Sequence, residues 1–477
     1  MHPAPALPAD LASTLRDLLG APNLVEGGES LEALSKDFYW YSPVLKRQLD
    51  DKLAAAAARI GTQEQLKAVL AACSRFGVPV TARGGGTGNY GQCVPLHGGL
   101  VLDLTPMSRI LGISADGVLR TETGARLGTI EVAARKAGWE LRCMPSTWMK
   151  ATIGGFFCGG SGGIGSIVWG GIGAGDNVKS ITLMSCEESP RSIRLEGDDI
   201  PRGLRGYGST GIMVEIEMRL APSLDYDQVL FNAPDWSRLL DWTDFAARKP
   251  EWRKRLVTGF EWPIPSFFKP LLRYVRPNEH MSLMLIDRRQ TQELVESAEA
   301  AGVACVYRVP LPNPPRPPLV SDYTYNHTTL WAMKSDPNFT YIQAGFGSNF
   351  REQFGLLHKR FPGEILLHLE WMANRAVEDP SHPGFFHGET VGVAGIPLVR
   401  FVSEPRLAEI IAYCGEIGIG IANPHTYVLE DGGHHPNIAE KRAFKATMDP
   451  AGLLNPGKMR TFPVNPFAAE PELSHPS

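Results

Sequence analysis

Apolar positions along the chain follow two different periods. Ala9 to Leu19 (ADLASTLRDLL) and Thr62 to Phe76 (TQEQLKAVLAACSRF) carry them at helical spacing, which predicts two amphipathic helices, the second stopped by Gly77. Shorter β-type runs follow: VPVTAR, entering GGGTGNYG (84–91) without a break, then LVLDL and VLRTETGA. From Gly154 to Gly175 the sequence GGFFCGGSGGIGSIVWGGIGAG is too glycine-dense for a helix or a packed strand and suits a backbone wrapped closely around something. The strands SITLMSC and GIMVEIEMRL come next, and the pattern changes after Pro222, where a domain boundary is placed. Between 281 and 423 a strand–helix–strand pattern occurs twice: MSLMLIDR, TQELVESAEAAG and VACVYR, then EILLHLEWM, PLVRFV, PRLAEIIAYCGEIG and IGIAN. That split arrangement predicts an α+β unit with an antiparallel sheet and helices on one face. LPNPPRPPLV, 311–320, is read as a stiff extended connector and the tail after Phe462 as poorly ordered.

Composition narrows the picture. With 477 residues, 43% of them hydrophobic and 21% charged, roughly two to three folded units are expected. A formal charge of -4 and a pI near 6.3 argue against a nucleic-acid partner, which would need a basic excess. Cys73, Cys93, Cys143, Cys158, Cys186, Cys305 and Cys414 show neither CxxC pairs nor zinc-site spacing, so no metal is expected from them and reduced thiols in the cytoplasm are. The N-terminal segment has no basic region and no long apolar run, so neither a signal peptide nor a membrane span is expected.

Gly86, Gly88 and Gly91 satisfy GxGxxG after a strand, but QCVPLHGG follows where a Rossmann helix should begin, and Asp103 closes LVLDL without a crossover helix. Glycines and short polar residues from Gly84 to Asn89 can aim successive amides at an anion. A tight hairpin between two strands is the alternative, and the loop alone leaves both open.

The order of phrases separates them. RGGGTGNYG (83–91), LVLDL, TETGA, ATIGGFFCGGSGGIGSIVWG (151–170), GDNV (175–178), GYGSTGIMVEIEMRL (206–220) and DPAGLLNPGKM (449–459) together resemble the vanillyl-alcohol oxidase, or PCMH-type FAD, family, and within it the glycolate oxidase and D-lactate dehydrogenase branch. The resemblance implies a two-subdomain FAD-binding domain at 55–222 after a lead-in at 1–54, an α+β cap at 223–440, a C-terminal return at 441–462 and a tail at 463–477. It places Arg83, Gly84, Gly85, Gly86, Thr87, Gly88, Asn89 and Gln92 around the pyrophosphate. Pro145, Ser146, Thr152, Gly154, Gly155, Gly163 and Ser166 would lie on the isoalloxazine and ribityl side, Ile212 at the adenine end, with Asn455 and Lys458 closing the return. Thr87 and Asn89 stand where some members carry a flavin-linking histidine, so non-covalent FAD is implied; Cys158 is read as a buried thiol.

The implied activity is oxidation of a small hydroxylated substrate, a 2-hydroxy acid such as D-lactate or glycolate, by hydride transfer to flavin N5. His425 in NPHTYVLEDGGHHP falls where the branch has the histidine of a Gly-Glu-His-Gly phrase and is nominated as general base, although Pro424 and Thr426 replace its neighbours. The branch's HxH metal motif is missing, and His434 and His435 are read as an exposed loop, so no metal is assigned. DYTYNH offers Tyr323, Tyr325 and His327, with both tyrosines on one face of an extended segment, over a substrate or simply packed; the same two readings apply to Glu370. WPIPSFFKPLLRYVR (262–276) is read as a cap loop, with peripheral membrane contact left open. The partners are a small hydroxylated substrate and an unidentified electron acceptor, with homo-oligomer or redox-complex subunit as further options. An aromatic- or sugar-alcohol oxidase and a catalytically silent FAD-binding subunit are the competing functions.

Overall fold

The computed structural model describes residues 6–160, 162–373, 390–432, 437–460 and 462. The tail at 463–477 and His434 and His435 lie outside them.

The predicted N-terminal elements form with their signals intact. Helix Gln63–Phe76 starts where the Thr62 side chain accepts the Gln65 N–H, and stops at left-handed Gly77. It covers a four-stranded sheet ordered Leu24–Val25, Ala56–Arg59, Leu100–Asp103, Val80–Arg83, in which the last three strands run parallel. Arg83 pairs with Asp103 in parallel register, so the glycine loop between them is a crossover and not a hairpin. The C-terminal phrase returns to this sheet: Val80 N–H donates to Leu453 O at 2.8 Å and Asn455 N–H to Val80 O at 2.7 Å.

A second, antiparallel sheet is ordered Ile110–Ile113, Val118–Glu122, Ile212–Pro222, Val178–Met184, Ser192–Glu196, with Trp139–Leu141 paired to the far end of Ile212–Pro222. Past Pro222 the chain enters a third sheet, antiparallel throughout and eight strands wide, from the edge strand Ala304–Pro310 to Gly420–Ala422. The expected α+β architecture with an antiparallel cap sheet is therefore present. Three details differ from the sequence reading. EILLHLEWM is not one strand: Ile365–Leu366 belongs to a small three-stranded sheet and His368–Ala373 to the large one. The glycine-dense stretch from Gly154 begins as a helix, Ile153–Gly159, held at its start by the Thr152 side chain accepting Gly155 N–H and by the burial of Ile153, Phe156 and Phe157. DYTYNH is not extended: Val320–Tyr323 is a single 3-10 turn and Asn326–Ser335 a helix. In segment 262–276 Ile264, Phe268 and Leu271 are buried while Leu272 is exposed. Among the described residues no helix is long and apolar enough to cross a membrane.

The large sheet is fixed to the second one through buried charge. Arg255, on strand Lys254–Phe260, meets Glu131 of helix Leu127–Lys136 at 2.9 Å, and Arg135 meets Glu131 at 2.9 Å and Glu140 at 2.5 Å. Tyr226 Oη donates to Glu140 at 2.6 Å, and Arg255 Nη2 donates to Leu141 O at 3.0 Å. Two cations and two anions balance where water is excluded, so removing one member strands another. Arg255→Met should cost about 3–5 kcal/mol in denaturant unfolding; a loss below 1 kcal/mol would show that the network contributes little to holding the sheets together.

Candidate active site

A cavity of about 990 Å³ lies between the two smaller sheets and the large one. That is the upper end of the roughly 300–1,000 Å³ typical of small-molecule sites. Its floor is main chain. Loop 83–92 and the segment 145–160 come so close that a Cβ on Gly85 would overlap the Lys150 carbonyl and one on Gly84 the Thr152 hydroxyl, and on the far side of the segment one on Gly154 would overlap the Thr123 hydroxyl. Side-chain bonds tie the two stretches together: Gln92 Nε2 donates to Gly159 O at 2.9 Å and Thr147 Oγ1 to Thr87 Oγ1 at 3.4 Å. Arg83 Nη1 donates to Lys36 O at 2.5 Å, which fixes the start of the loop from outside.

Of the residues expected at the cofactor, Arg83, Gly84, Gly85, Gly86, Thr87, Gly88, Asn89, Gln92, Pro145, Ser146, Thr152, Gly154 and Gly155 line this one cavity. The remaining five stand behind it. Ser166 Oγ accepts the Gly163 N–H at 2.9 Å, supporting the glycine run from below. Ile212 is wholly buried in the core under the first sheet, and Gly208 and Met213 line the cavity in its place. Asn455 Nδ2 donates to Gln92 O at 2.8 Å and Tyr207 O at 2.7 Å, and Lys458 Nζ to Gly91 O at 2.5 Å, so both buttress the loop.

The expected catalytic residues separate. His425 does not line the cavity: its Nε2–H donates to Tyr341 O at 2.8 Å and its Nδ1 accepts from Ser42 Oγ at 2.7 Å. Both ring nitrogens are engaged, and burial pushes its pKa down to about 4. His425 is therefore not the expected general base, because a neutral imidazole without a free lone pair serves structure and not proton abstraction. Tyr323 packs in the core, stacked on Trp331 at 5.8 Å, and His327 lies off the cavity with burial lowering it to about 4. Tyr325 alone of the four reaches the cavity. Its Oη donates to Gly163 O at 2.6 Å, and its φ of +51° turns it away from the face that Tyr323 occupies.

Residues without a sequence assignment complete the wall. Gln343, Ala344, Met372, Ala394, Gly395 and Ile396 come from three adjacent strands of the large sheet and the residue after one of them, beside Glu370, which the sequence left between two readings, and Asp37, Arg205 and Tyr207 come from the FAD side. Glu370 is 1% exposed, with Thr258 Oγ1 donating to Oε2 at 2.6 Å, and Tyr325 N–H and His368 Nε2 meeting Oε1 at 3.0 and 2.9 Å. Period-2 alternation along HLEWM carried a signal for Glu370, since it shares a face with His368 and Met372 while Leu369 and Trp371 face the core. No such signal marked Asp37 or Arg205. Among the described residues no cluster of three or more His, Cys, Asp or Glu side chains is placed to hold a metal ion.

A long, glycine-floored cleft closed by an antiparallel cap sheet defines the class: a two-lobed flavoprotein with the PCMH-type FAD-binding fold. Comparison with known proteins agrees. The family model described as "FAD binding domain" matches residues 54–189. An uncharacterized FAD-linked oxidoreductase of Mycobacterium tuberculosis is 26% identical over 487 residues, 94% of this chain and 98% of that protein. The D-lactate dehydrogenase of Anaerostipes hadrus is 28% identical over 172 residues, 34% of this chain and 35% of that one. Glycolate oxidase subunit GlcD of Escherichia coli is 27% identical over 183 residues, 36% of each chain. Among solved structures alkyldihydroxyacetonephosphate synthase superposes with a TM-score of 0.71 over 94% of this chain and 86% of that one, at 14% identity, which is a likeness of fold. The chain carries an FAD-binding domain of the PCMH type and is an FAD-linked oxidoreductase. The glycine cradle fits FAD because a cofactor of that length and charge needs main-chain amides along its path and no Cβ in the way.

Two outcomes follow from this geometry. Gly85→Ala should weaken FAD retention by about 1–3 kcal/mol, read as flavin absorbance per protein, because its Cβ meets main chain that cannot swing aside. Gly112→Ala, in open space, should change nothing, and equal retention in both would remove the close-approach argument. His425 takes up a proton more readily unfolded, near 6.5, than folded, near 4, so stability falls as pH drops through that window. His425→Gln should flatten the slope of unfolding free energy between those values, and unchanged slopes would contradict its buried neutral state.

Proposed function

We propose that this enzyme oxidises a small hydroxylated substrate in the part of the cavity walled by the large sheet, with Glu370 receiving the hydroxyl proton. FAD, when held by the glycine cradle, would supply the two-electron, hydride-accepting chemistry at its N5. The alcohol thereby loses one hydride and one proton and leaves as the carbonyl compound; the electrons then pass to an external acceptor. One observation carries the assignment: Glu370 is a carboxylate in the cavity wall with hydrogen-bond donors around it and no lysine or arginine partner among the described residues. Through its N–H Tyr325 holds Glu370, and through its Oη it holds the glycine run, so it keeps the proton acceptor at a fixed distance from the flavin side.

For a 2-hydroxy acid as substrate, the support is the likeness of the FAD-binding third to proteins named D-lactate dehydrogenase and glycolate oxidase. A neutral aromatic or sugar alcohol is favoured by a different fact: the cap-side lining from Tyr325 to Ala422 holds no lysine or arginine to meet a carboxylate among the described residues. Non-covalent FAD accords with the lining, which holds no histidine among the described residues and whose thiols Cys93 and Cys158 are pushed up by burial to about 11 and about 12. The seven free cysteines accord with a cytoplasmic site of action.

Anaerobic mixing of the flavin-loaded enzyme with D-lactate, glycolate, vanillyl alcohol and alditols tests the reading. One substrate class should bleach the flavin, and Glu370→Gln should slow that bleaching about 10²–10⁴-fold with flavin content unchanged. A flavin that none of these compounds reduces would leave the catalytically silent subunit as the surviving account. Full-speed reduction in Glu370→Gln would remove the proton-acceptor role.

A further inference from the structure

Among the described residues Arg83 and Arg205 are the two arginines of the cavity lining, and they differ in what they meet. Arg83 is engaged by Lys36 O and Cys93 Sγ. Arg205 lines the wall beside Gly171–Gly175 and Pro201, with Nη2 3.8 Å from where a Cβ on Gly173 would sit, and among the described residues no carboxylate or other acceptor meets its guanidinium. Burial there acts against the charged form and draws its pKa below the ordinary value.

The main chain delivers this side chain under constraint. Arg205 has φ +54° and Tyr207 φ +51°, in the left-handed region that residues with a Cβ occupy only where their surroundings impose it. The constraint comes from two sides. Arg205 N–H donates to Phe157 O and Tyr207 N–H to Cys158 O, each at 3.0 Å. Behind them, Lys441 Nζ donates to the carbonyl of Leu204 at 2.6 Å and to that of Pro201. A strained, clamped segment thus holds a mostly buried cation at the cavity without a counter-charge, an arrangement that an anion from outside the chain completes.

We infer that Arg205 is the anion-binding residue of this cavity, its planar fork taking an oxyanion in bidentate fashion. Two sources share that chemistry: the carboxylate of a 2-hydroxy-acid substrate, in which case the inference rests on the oxidation proposed above, and a phosphate of FAD, in which case it does not. Arg205→Met and Arg205→Lys separate them in three readouts: FAD Kd by fluorescence quenching on the apoprotein, KM for D-lactate, and KM for a neutral alcohol. With the substrate as source, FAD Kd holds, the D-lactate KM rises about tenfold or more in the Met variant and less in the Lys variant, and the neutral-alcohol KM stays put. With the cofactor as source, FAD Kd itself rises about tenfold or more in the Met variant, is partly restored by Lys, and the KM values do not discriminate between acid and alcohol. Unchanged FAD Kd together with unchanged KM overturns the inference, and if Met at this position fails to fold the Lys variant decides by the same rule. Should no hydroxylated compound reduce the wild-type flavin, the oxidation reading fails by itself; the FAD-affinity arm still decides Arg205, and an unchanged Kd there counts against it.

Discussion

Everything at this site depends on two stretches of main chain approaching closer than side chains allow. Gly84 and Gly85 face Lys150 and Thr152, and Gly154 faces Thr123, at separations where a methyl group has no room. Packed interiors respond to the addition of even one methylene, so these contacts set the floor of the cavity within narrow limits. The parallel pairing of Val80–Arg83 with Leu100–Asp103 then throws loop 84–99 across the end of the sheet, where Gln92, Asn455 and Lys458 hold it from behind. The C-terminal phrase resembles a latch for this reason: Leu453 to Lys458 extends the first sheet and closes over the loop that the glycines shape.

A cleft between lobes needs its second wall at a fixed height, and here the buried Arg255–Glu131–Arg135–Glu140 cluster supplies that spacing. Apolar contact is non-directional and would let the large sheet slide. Charges with Tyr226 Oη and Leu141 O as additional partners have one good geometry, since each alternative leaves a buried ion unpaired. Gly165 N–H donating to Arg255 O at 2.7 Å carries the same registration to the glycine run itself.

Legibility in the sequence followed the range of the interaction involved. Helix Gln63–Phe76 was readable because its cap, its periodicity and its Gly77 stop are local. The cradle was readable because glycine is informative only about backbone, and backbone was what the site required. His425 misled for the complementary reason: a side chain's role depends on partners distant in sequence, and Ser42 and Tyr341, which engage its ring, left no trace near position 425. Tyr323 and Tyr325 share a face only in an extended chain; the 3-10 turn at Val320–Tyr323 and the left-handed Tyr325 send one to the core and one to the cavity. The helix at Ile153–Gly159 was missed since Ile153, Phe156 and Phe157 anchor it by burial, which outweighs the low helix propensity of the glycines between them.

The two walls divide the electrostatic work unequally. On the FAD side the lining is amide-rich, with Asp37 and Arg83 at the loop and, among the described residues, the guanidinium of Arg205 unmet; on the cap side it is alanine, glycine, isoleucine and methionine around Glu370, with asparagine, glutamine and tyrosine as neutral polar groups. A negatively charged cofactor is thus met by dipoles that need no counterion, while the Glu370 carboxylate stands on the opposite wall, where the fixed dipoles of Thr258 Oγ1 and Tyr325 N–H offset its desolvation. In a site of low dielectric, placing Arg205 and Glu370 on opposite walls keeps them from neutralising one another, so each remains available to a ligand instead of closing an internal ion pair. Polarity of this kind could be built from few side chains because the glycine floor had already removed the need for cations along the cofactor.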